Sequence, residues 1–286
     1  AESNTFQGKN LDLPEKQQID ASAEFEVLRD SLRQNGVNVI EVLDTIEPHT
    51  PDSIFPNNWV SFHSDGAVVL YPMMAPNRRL ERRDDILRII TDEYNFRINK
   101  VVDLSGYEKS KEFLEGTGSL VLDRVNRMAY ACMSPRTHIT PLREFAKRMN
   151  YEVIDFDAVD RNGIPIYHTN VLMSIGEDFA FVCDEAIPNT KQRNRLMTEL
   201  KKTKREVESI NLDQMDCFAG NILQLRSSNN QNVVAMSSQA HSCLENSHLD
   251  VIGANSIITS PNITSIETSA GGSVRCMLAE IHLPKL

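Results

Sequence analysis

Tyr167-His168-Thr169-Asn170-Val171-Leu172-Met173 is the stretch from which the organisation of this chain is read. A polar His168 stands where an apolar run begins, and a second apolar strand is expected over 178–183. Upstream, the periodicity predicts a helix over 138–149 and a strand over 151–156. The same order recurs in both directions. A helix over 20–34, stopped at Asn35-Gly36, leads to a strand over 37–43, to Phe55-Pro56-Asn57-Asn58-Trp59-Val60-Ser61-Phe62 and to a strand over 67–71. A helix over 78–92 leads to a strand over 98–104, to Phe113-Leu114-Glu115-Gly116-Thr117-Gly118-Ser119-Leu120 and to a strand over 127–132. A helix over 189–203 leads to a strand over 205–212, to Cys217-Phe218-Ala219-Gly220-Asn221-Ile222-Leu223 and to a strand over 232–236. The fifth copy has a helix near 238–250, a β-rich stretch over 256–267, and Gly271-Gly272-Ser273-Val274-Arg275-Cys276, with the cysteine opening a short strand.

The polar residues Asn58, Glu115, His168, Asn221 and Cys276 are spaced by 57, 53, 53 and 55 positions, so one falls at the same point of each repeat. Alternating strands and helices alone are also the pattern of an ordinary parallel α/β sheet. A strand–turn–strand pair ahead of each helix favours five pseudo-equivalent ββαβ repeats closed as a ring, with the polar points at a common mouth. No linker or low-complexity segment interrupts the series, so residues 1–286 are read as a single domain. The closing strand of the fifth repeat is expected to pair with chain preceding residue 1.

A net charge of −10 argues against nucleic acid or an anionic membrane as the main partner, since both require a basic face. No apolar run is long enough to span a bilayer, and Ala1–Gln7 has no basic segment followed by an apolar one. Five dispersed cysteines without CxxC spacing read as reduced thiols of a cytoplasmic enzyme. The expected partner is a small-molecule substrate, with self-association into a homo-oligomer left open. Asn262-Ile263-Thr264 is taken as a chance glycosylation pattern. His241, Cys243 and His248 have irregular spacing for zinc, and no metal or organic cofactor is expected.

Cys276, His168 and Glu115, one from each of three repeats, are the parts of a thiol-based acyl- or amidine-transfer site. Cys276 would attack, His168 would move protons, and Glu115 would orient the imidazole or the substrate nitrogens. Each has a plainer reading: a core histidine bonded to a carbonyl, a turn carboxylate, an inert thiol. Their shared place in the repeat favours chemistry. Asp52, after Pro51, is either a turn residue or a substrate ligand. Arg78, Arg79, Arg82 and Arg83 fit a solvated helix face and Arg136 a residue leading into a helix, yet two arginines here could grip a carboxylate.

These residues resemble the guanidine-modifying hydrolase and amidinotransferase superfamily, which implies a five-bladed α/β propeller, the pentein fold. Pro51-Asp52-Ser53-Ile54-Phe55-Pro56-Asn57-Asn58 resembles the first substrate-binding motif of dimethylarginine dimethylaminohydrolases. Asn77-Arg78-Arg79-Leu80-Glu81 and Ser134-Pro135-Arg136-Thr137 resemble the segments that supply carboxylate-binding arginines. Glu115-Gly116-Thr117-Gly118 resembles the acidic turn, and His168 and Cys276 fall at the histidine and nucleophile positions. The departures concern charge. Asn58 stands where an acid is usual, Asn57 where Arg or Glu is, Gly118 for the second acid of the turn, Asn170 for an Asp, and Gly271 for an acid near the cysteine.

A guanidinium requires paired anions, whereas a neutral ureido group offers both donors and an acceptor. The resemblance therefore implies the citrulline-utilisation (citrulline ureidase) branch, with Asp52, Glu115 and Asn58 on the ureido group and Arg78 and Arg136 on the substrate carboxylate. The rival readings are a deiminase, a dimethylarginine hydrolase or an amidinotransferase on a guanidino substrate, and a non-catalytic pentein of the ribosome anti-association kind.

Overall fold

Four of the repeats fold into the same three-stranded sheet in the computed structural model, which describes residues 14–286. The first sheet is β1 (Val60–Phe62), β2 (Ala67–Leu70) and β3 (Lys100–Asp103), and the second β4 (Val121–Asp123), β5 (Met128–Cys132) and β6 (Glu152–Phe156). The third is β7 (Met173–Ile175), β8 (Phe179–Val182) and β9 (Glu206–Ser209), and the fourth β10 (Leu223–Arg226), β11 (Asn232–Ala235) and β12 (Ser256–Thr259). Within each sheet the first two strands form an antiparallel hairpin and the third returns parallel to the second. A parallel return needs a crossover, and each repeat supplies helix there.

The helices are α1 (Pro14–Gln34), α2 (Asp84–Asp92), α3 (Gly116–Ser119), α4 (Ile139–Met149), α5 (Thr169–Leu172), α6 (Thr190–Lys202), α7 (Leu212–Asp216), α8 (Ser238–Cys243), α9 (Asn246–Gly253) and α10 (Thr264–Ala270). Caps fix the crossovers where the sequence places them. His138 accepts from Thr140 N at the start of α4, Asn150 turns left-handed at its end, and Asn189 accepts from Lys191 N and Gln192 N at the start of α6.

The chain divides into two compact units. One gathers the described residues up to Ile40, Ala158–Ile164 and Asn170–Arg275, and contains sheets three and four. The other gathers Glu41–Asp157, Pro165–Thr169 and Cys276–Leu286, and contains sheets one and two. In this second unit Leu142, Phe145 and Met149, on one face of α4, pack against the inward residues Ala67, Val69 and Tyr71 of sheet one and Ala129 and Ala131 of sheet two. Phe145 is wholly buried, with ring centroids 6.0 Å from Tyr71 and 5.5 Å from Tyr151. Phe145→Ala is expected to lower stability by about 3–5 kcal/mol, because the void cannot close between two sheets. Urea unfolding measures it.

Several expectations are corrected. Residues 37–43 form no ladder: alternation shapes a ribbon, but a strand exists only beside a neighbouring edge. The helix expected over 78–92 is a 3₁₀ turn, Pro76–Glu81, followed by α2, because Arg82 and Arg83 are extended. Arg82 reaches Tyr71 O and Glu108, and Arg83 reaches Leu43 O and Asp85. The helix near 238–250 breaks at Leu244-Glu245 into α8 and α9. The β-rich stretch ends at Thr259 and α10 follows, its first N–H groups at Ser265 and Ile266 accepted by the Glu24 carboxylate of α1. Cys276 lies in a turn over 274–277 rather than at the start of a strand. A fifth three-stranded sheet is not formed among the described residues. The pairing expected before residue 1 and the reading of Ala1–Gln7 lie outside the described residues.

Candidate active site

Four of the five polar points sit just ahead of a hairpin rather than on its first strand residue; Cys276 lies in the turn over 274–277 and no hairpin follows it among the described residues. Asn58 ends a 3₁₀ turn (Pro56–Asn58) before β1, Glu115 precedes α3, and His168 precedes α5. Asn221 follows α7, accepts from Arg275 N and donates to Asn170 O, so it acts as a strut of the first unit. Asp52, Asn58, Arg78, Glu115, Arg136, His168 and Cys276 all belong to the second unit, and all are buried.

Glu115 anchors the cluster. Its backbone N–H donates to Arg136 O (3.2 Å) and Ser119 Oγ (2.9 Å), which fixes where the side chain starts. Gly116 holds φ +47°, and a Cβ there would lie 2.1 Å from Asn57 O, so the turn admits only glycine. Glu115 Oε1 accepts from Met74 N (3.0 Å), and Oε2 accepts from His168 Nε2 (2.8 Å) and Arg136 Nη1 (3.5 Å). Burial works to raise the Glu115 pKa. The His168 hydrogen bond and the positive charge of Arg136 and Arg78 overcome it and hold the carboxyl at about 2. An ionised carboxylate only accepts, so His168 carries its proton on Nε2 and keeps the Nδ1 lone pair.

Burial dominates at His168 and lowers its pKa although Glu115 pulls the other way. The imidazole is therefore neutral at pH 7. Tyr167 meets it edge-on with centroids 4.7 Å apart, and the Arg136 guanidinium lies 4.6 Å over the same tyrosine ring. Burial raises the Tyr167 phenol. One pH prediction follows from these directions. The acid limb of kcat/KM is expected below pH 6.5, at the depressed His168 value. Because the folded value is the lower one, the stability His168 contributes is complete above 6.5 and is lost as pH falls through the folded value. For Glu115 the loss runs from 4.5 down through about 2. Paired rate and unfolding measurements across pH test both.

Arg78 departs from the simple expectation. Its Nε and Nη2 close bidentately on Glu81 at 2.9 Å each, Nη2 also reaches Asp52 O and Phe55 O at 3.3 Å, and Nη1 donates to Asn58 Oδ1 at 2.9 Å. Burial opposes the Arg78 cation, but Glu81 outweighs it and keeps Arg78 protonated. One Nη1 hydrogen is left for a substrate, so Arg78 is no two-pronged clamp. Asp52 adds a carboxylate 3.9 Å from Arg78 Nε.

Since Arg78 can only donate, Asn58 must present Oδ1 to it and turn Nδ2 the other way. That Nδ2 is buried with no hydrogen-bond partner. A methyl group at Gly118 would lie 2.4 Å from it and 2.9 Å from His168 Nδ1. The glycine that replaces the second acid is what lets the amide and the imidazole approach.

Glu81 and Tyr167 were not singled out from sequence. Glu81 is three residues beyond Arg78 and eclipses it only because the segment is 3₁₀. Tyr167 adjoins His168, which was its one signal. Among the described residues no three His, Cys, Asp or Glu side chains gather as a metal site. His248 instead serves Glu245 N and Ser209 O.

Repeats of this kind, with a carboxylate-bound imidazole, arginines and a cysteine in one unit, accord with the DDAH-like pentein superfamily, in which the family match places the chain. Within it the chain belongs to the family described as N,N dimethylarginine dimethylhydrolase, eukaryotic, whose model matches residues 1–283. No curated protein matches the sequence. Among solved structures it is similar to ArgZ, an arginine dihydrolase from the ornithine-ammonia cycle in Cyanobacteria. Identity is 17% and the TM-score 0.71, over 94% of this chain and 37% of that one, so this chain spans just over a third of full-length ArgZ. The N-terminal domain of ArgZ bound to substrate gives 16% identity and a TM-score of 0.69, covering 93% and 89% of the two chains. A dimethylarginine dimethylaminohydrolase adduct gives 13% and 0.63, covering 91% and 90%. Among the described residues, no helix is long and apolar enough to cross a membrane.

Proposed function

We propose that the chain is a cytoplasmic, cysteine-dependent hydrolase of a ureido amino acid, converting citrulline and water to ornithine, ammonia and carbon dioxide. It would act as one catalytic domain, with its repeats closed as a five-bladed propeller. The observation that carries the substrate choice is the Asn58 amide, whose Oδ1 is taken by Arg78 and whose buried Nδ2 is left as a donor. A guanidinium offers only N–H groups and would oppose that donor, whereas a ureido oxygen accepts from it. The ureido N–H groups would face the Asp52 and Glu115 carboxylates. Arg136 and the remaining Arg78 hydrogen would hold the substrate carboxylate.

In this reading His168 Nδ1 takes the Cys276 proton, and the thiolate attacks the ureido carbon. The imidazolium then protonates the ornithine nitrogen as the C–N bond breaks, leaving an S-carbamoyl enzyme. Nδ1 next takes a proton from water, the hydroxide adds to the carbamoyl carbon and expels the thiolate, the imidazolium returns its proton to the sulfur, and the carbamic acid released falls apart to ammonia and carbon dioxide.

Arginine or dimethylarginine is the second reading, favoured by family membership and by the two carboxylates. Ammonia and ornithine release from citrulline, arginine and dimethylarginine separates them. Citrulline is expected to be preferred, and Asn58→Asp to shift the preference toward arginine. A wild-type enzyme that releases citrulline from arginine and leaves citrulline untouched would refute the ureido reading.

A further inference from the structure

The buried carboxylate of Glu81 has no direct part in the chemistry above, yet it is aimed through two side chains at the group that chooses the substrate. Glu81 is 1% exposed, and its two oxygens take Nε and Nη2 of Arg78 at 2.9 Å each. A planar guanidinium held at both nitrogens has no remaining rotation, so the direction of Nη1 is set. Nη1 in turn meets Asn58 Oδ1 at 2.9 Å, and an amide held by its oxygen has its nitrogen fixed on the opposite side, toward Gly118 and His168. We propose that Glu81 is a positioning residue for the hydrolysis: by closing the Arg78 fork it locks the Asn58 amide with Nδ2 facing the reacting group. The part assigned to Nδ2 rests on the proposed function; the relay from Glu81 to Asn58 does not.

The 3₁₀ conformation of Pro76–Glu81 serves this arrangement. Residues three apart eclipse in a 3₁₀ turn, so Arg78 and Glu81 pair side by side with both side chains directed inward. An α-helical turn would separate them by a further rotation. Asp52 O and Phe55 O take the other hydrogen of Nη2, so no donor faces the Arg78 fork from that side.

Glu81→Gln tests the relay. Glutamine keeps the shape but presents an NH₂ to one of the Arg78 nitrogens, so the fork opens and the Asn58 amide is released. On the best substrate of the panel, kcat is expected to fall about tenfold to a hundredfold, the cost of a misplaced group at a reacting centre. Glu81→Asp should recover part of that loss. In an Asn58→Ala background Glu81→Gln should add little further loss, since the group it positions is gone. A structural role alone would give equal losses in the two backgrounds. The crystal structure of the Glu81→Gln variant supplies a readout independent of turnover: Arg78 should leave Asn58 Oδ1. An unchanged Arg78–Asn58 contact, or additive losses, overturns the proposal whichever substrate is preferred. Failure on citrulline with success on arginine refutes the ureido reading and leaves the relay standing.

Discussion

Cys276→Ala will have no measurable turnover of ureido or guanidino amino acids, a fall of at least about 10⁴-fold, while its unfolding transition stays close to that of the wild type. In the proposed reaction the sulfur is the group that bonds to the substrate carbon, and alanine has no atom to replace it. Cys276 sits in a turn rather than a ladder and alanine removes only its sulfur atom, so the backbone pairing is untouched. The measurements are kcat by ammonia release and thermal unfolding by circular dichroism. A complementary arm quenches the wild-type enzyme with acid during turnover of citrulline. Mass spectrometry should then find the carbamoyl group on the peptide containing Cys276. Near-normal turnover by Cys276→Ala would end the thiol mechanism.

Glu115→Gln will lower kcat about 10³-fold, which places it second in size. The amide can still occupy the space and accept from one neighbour, but it can no longer serve Met74 N, His168 Nε2 and Arg136 with two acceptor oxygens. The His168 tautomer is then unspecified, and Nδ1 is protonated in part of the population. The charge that opposes desolvation of the imidazolium is also gone. The His168 pKa therefore falls further, and the acid limb of kcat/KM moves to lower pH. Stability should suffer as well, by about 1–3 kcal/mol, because the buried Met74 N–H, His168 Nε2–H and Arg136 must share the single acceptor oxygen that remains. A variant whose acid limb moved upward would show that Glu115 does not face the catalytic imidazole.

Much of this was legible in the sequence, and the parts that were not share a cause. Local alternation and turn residues write the second strand of each hairpin, so β2, β5, β8 and β11 fall where expected, whereas β4, β7 and β10 begin at or beyond the ends of the stretches expected to open them. The spacing of Asn58, Glu115 and His168 also survives, because each sits at the root of a hairpin. What failed depends on distant partners. Residues 37–43 alternate but meet no ladder, and α10 starts where Glu24, far back in the chain, accepts its first N–H groups. A guanidinium suits a carboxylate, so Arg78 is expected to grip the substrate, but its second partner is not legible in the sequence. Nothing in Asn77-Arg78-Arg79-Leu80-Glu81 tells a 3₁₀ turn from an α-helix, so the fork closing on Glu81 was invisible. Gly118 looked like a lost acid. The structure makes it the clearance between an amide and an imidazole.

Tyr167 couples two functions that a protein engineer would prefer to tune separately. Its ring meets the His168 imidazole at an interplanar angle of 63° and lies under the guanidinium of Arg136, the arginine that would bind the substrate carboxylate. An exchange that removes the ring perturbs both contacts together, whereas phenylalanine keeps them. Redesign toward a longer or shorter amino acid must therefore start elsewhere in the pocket.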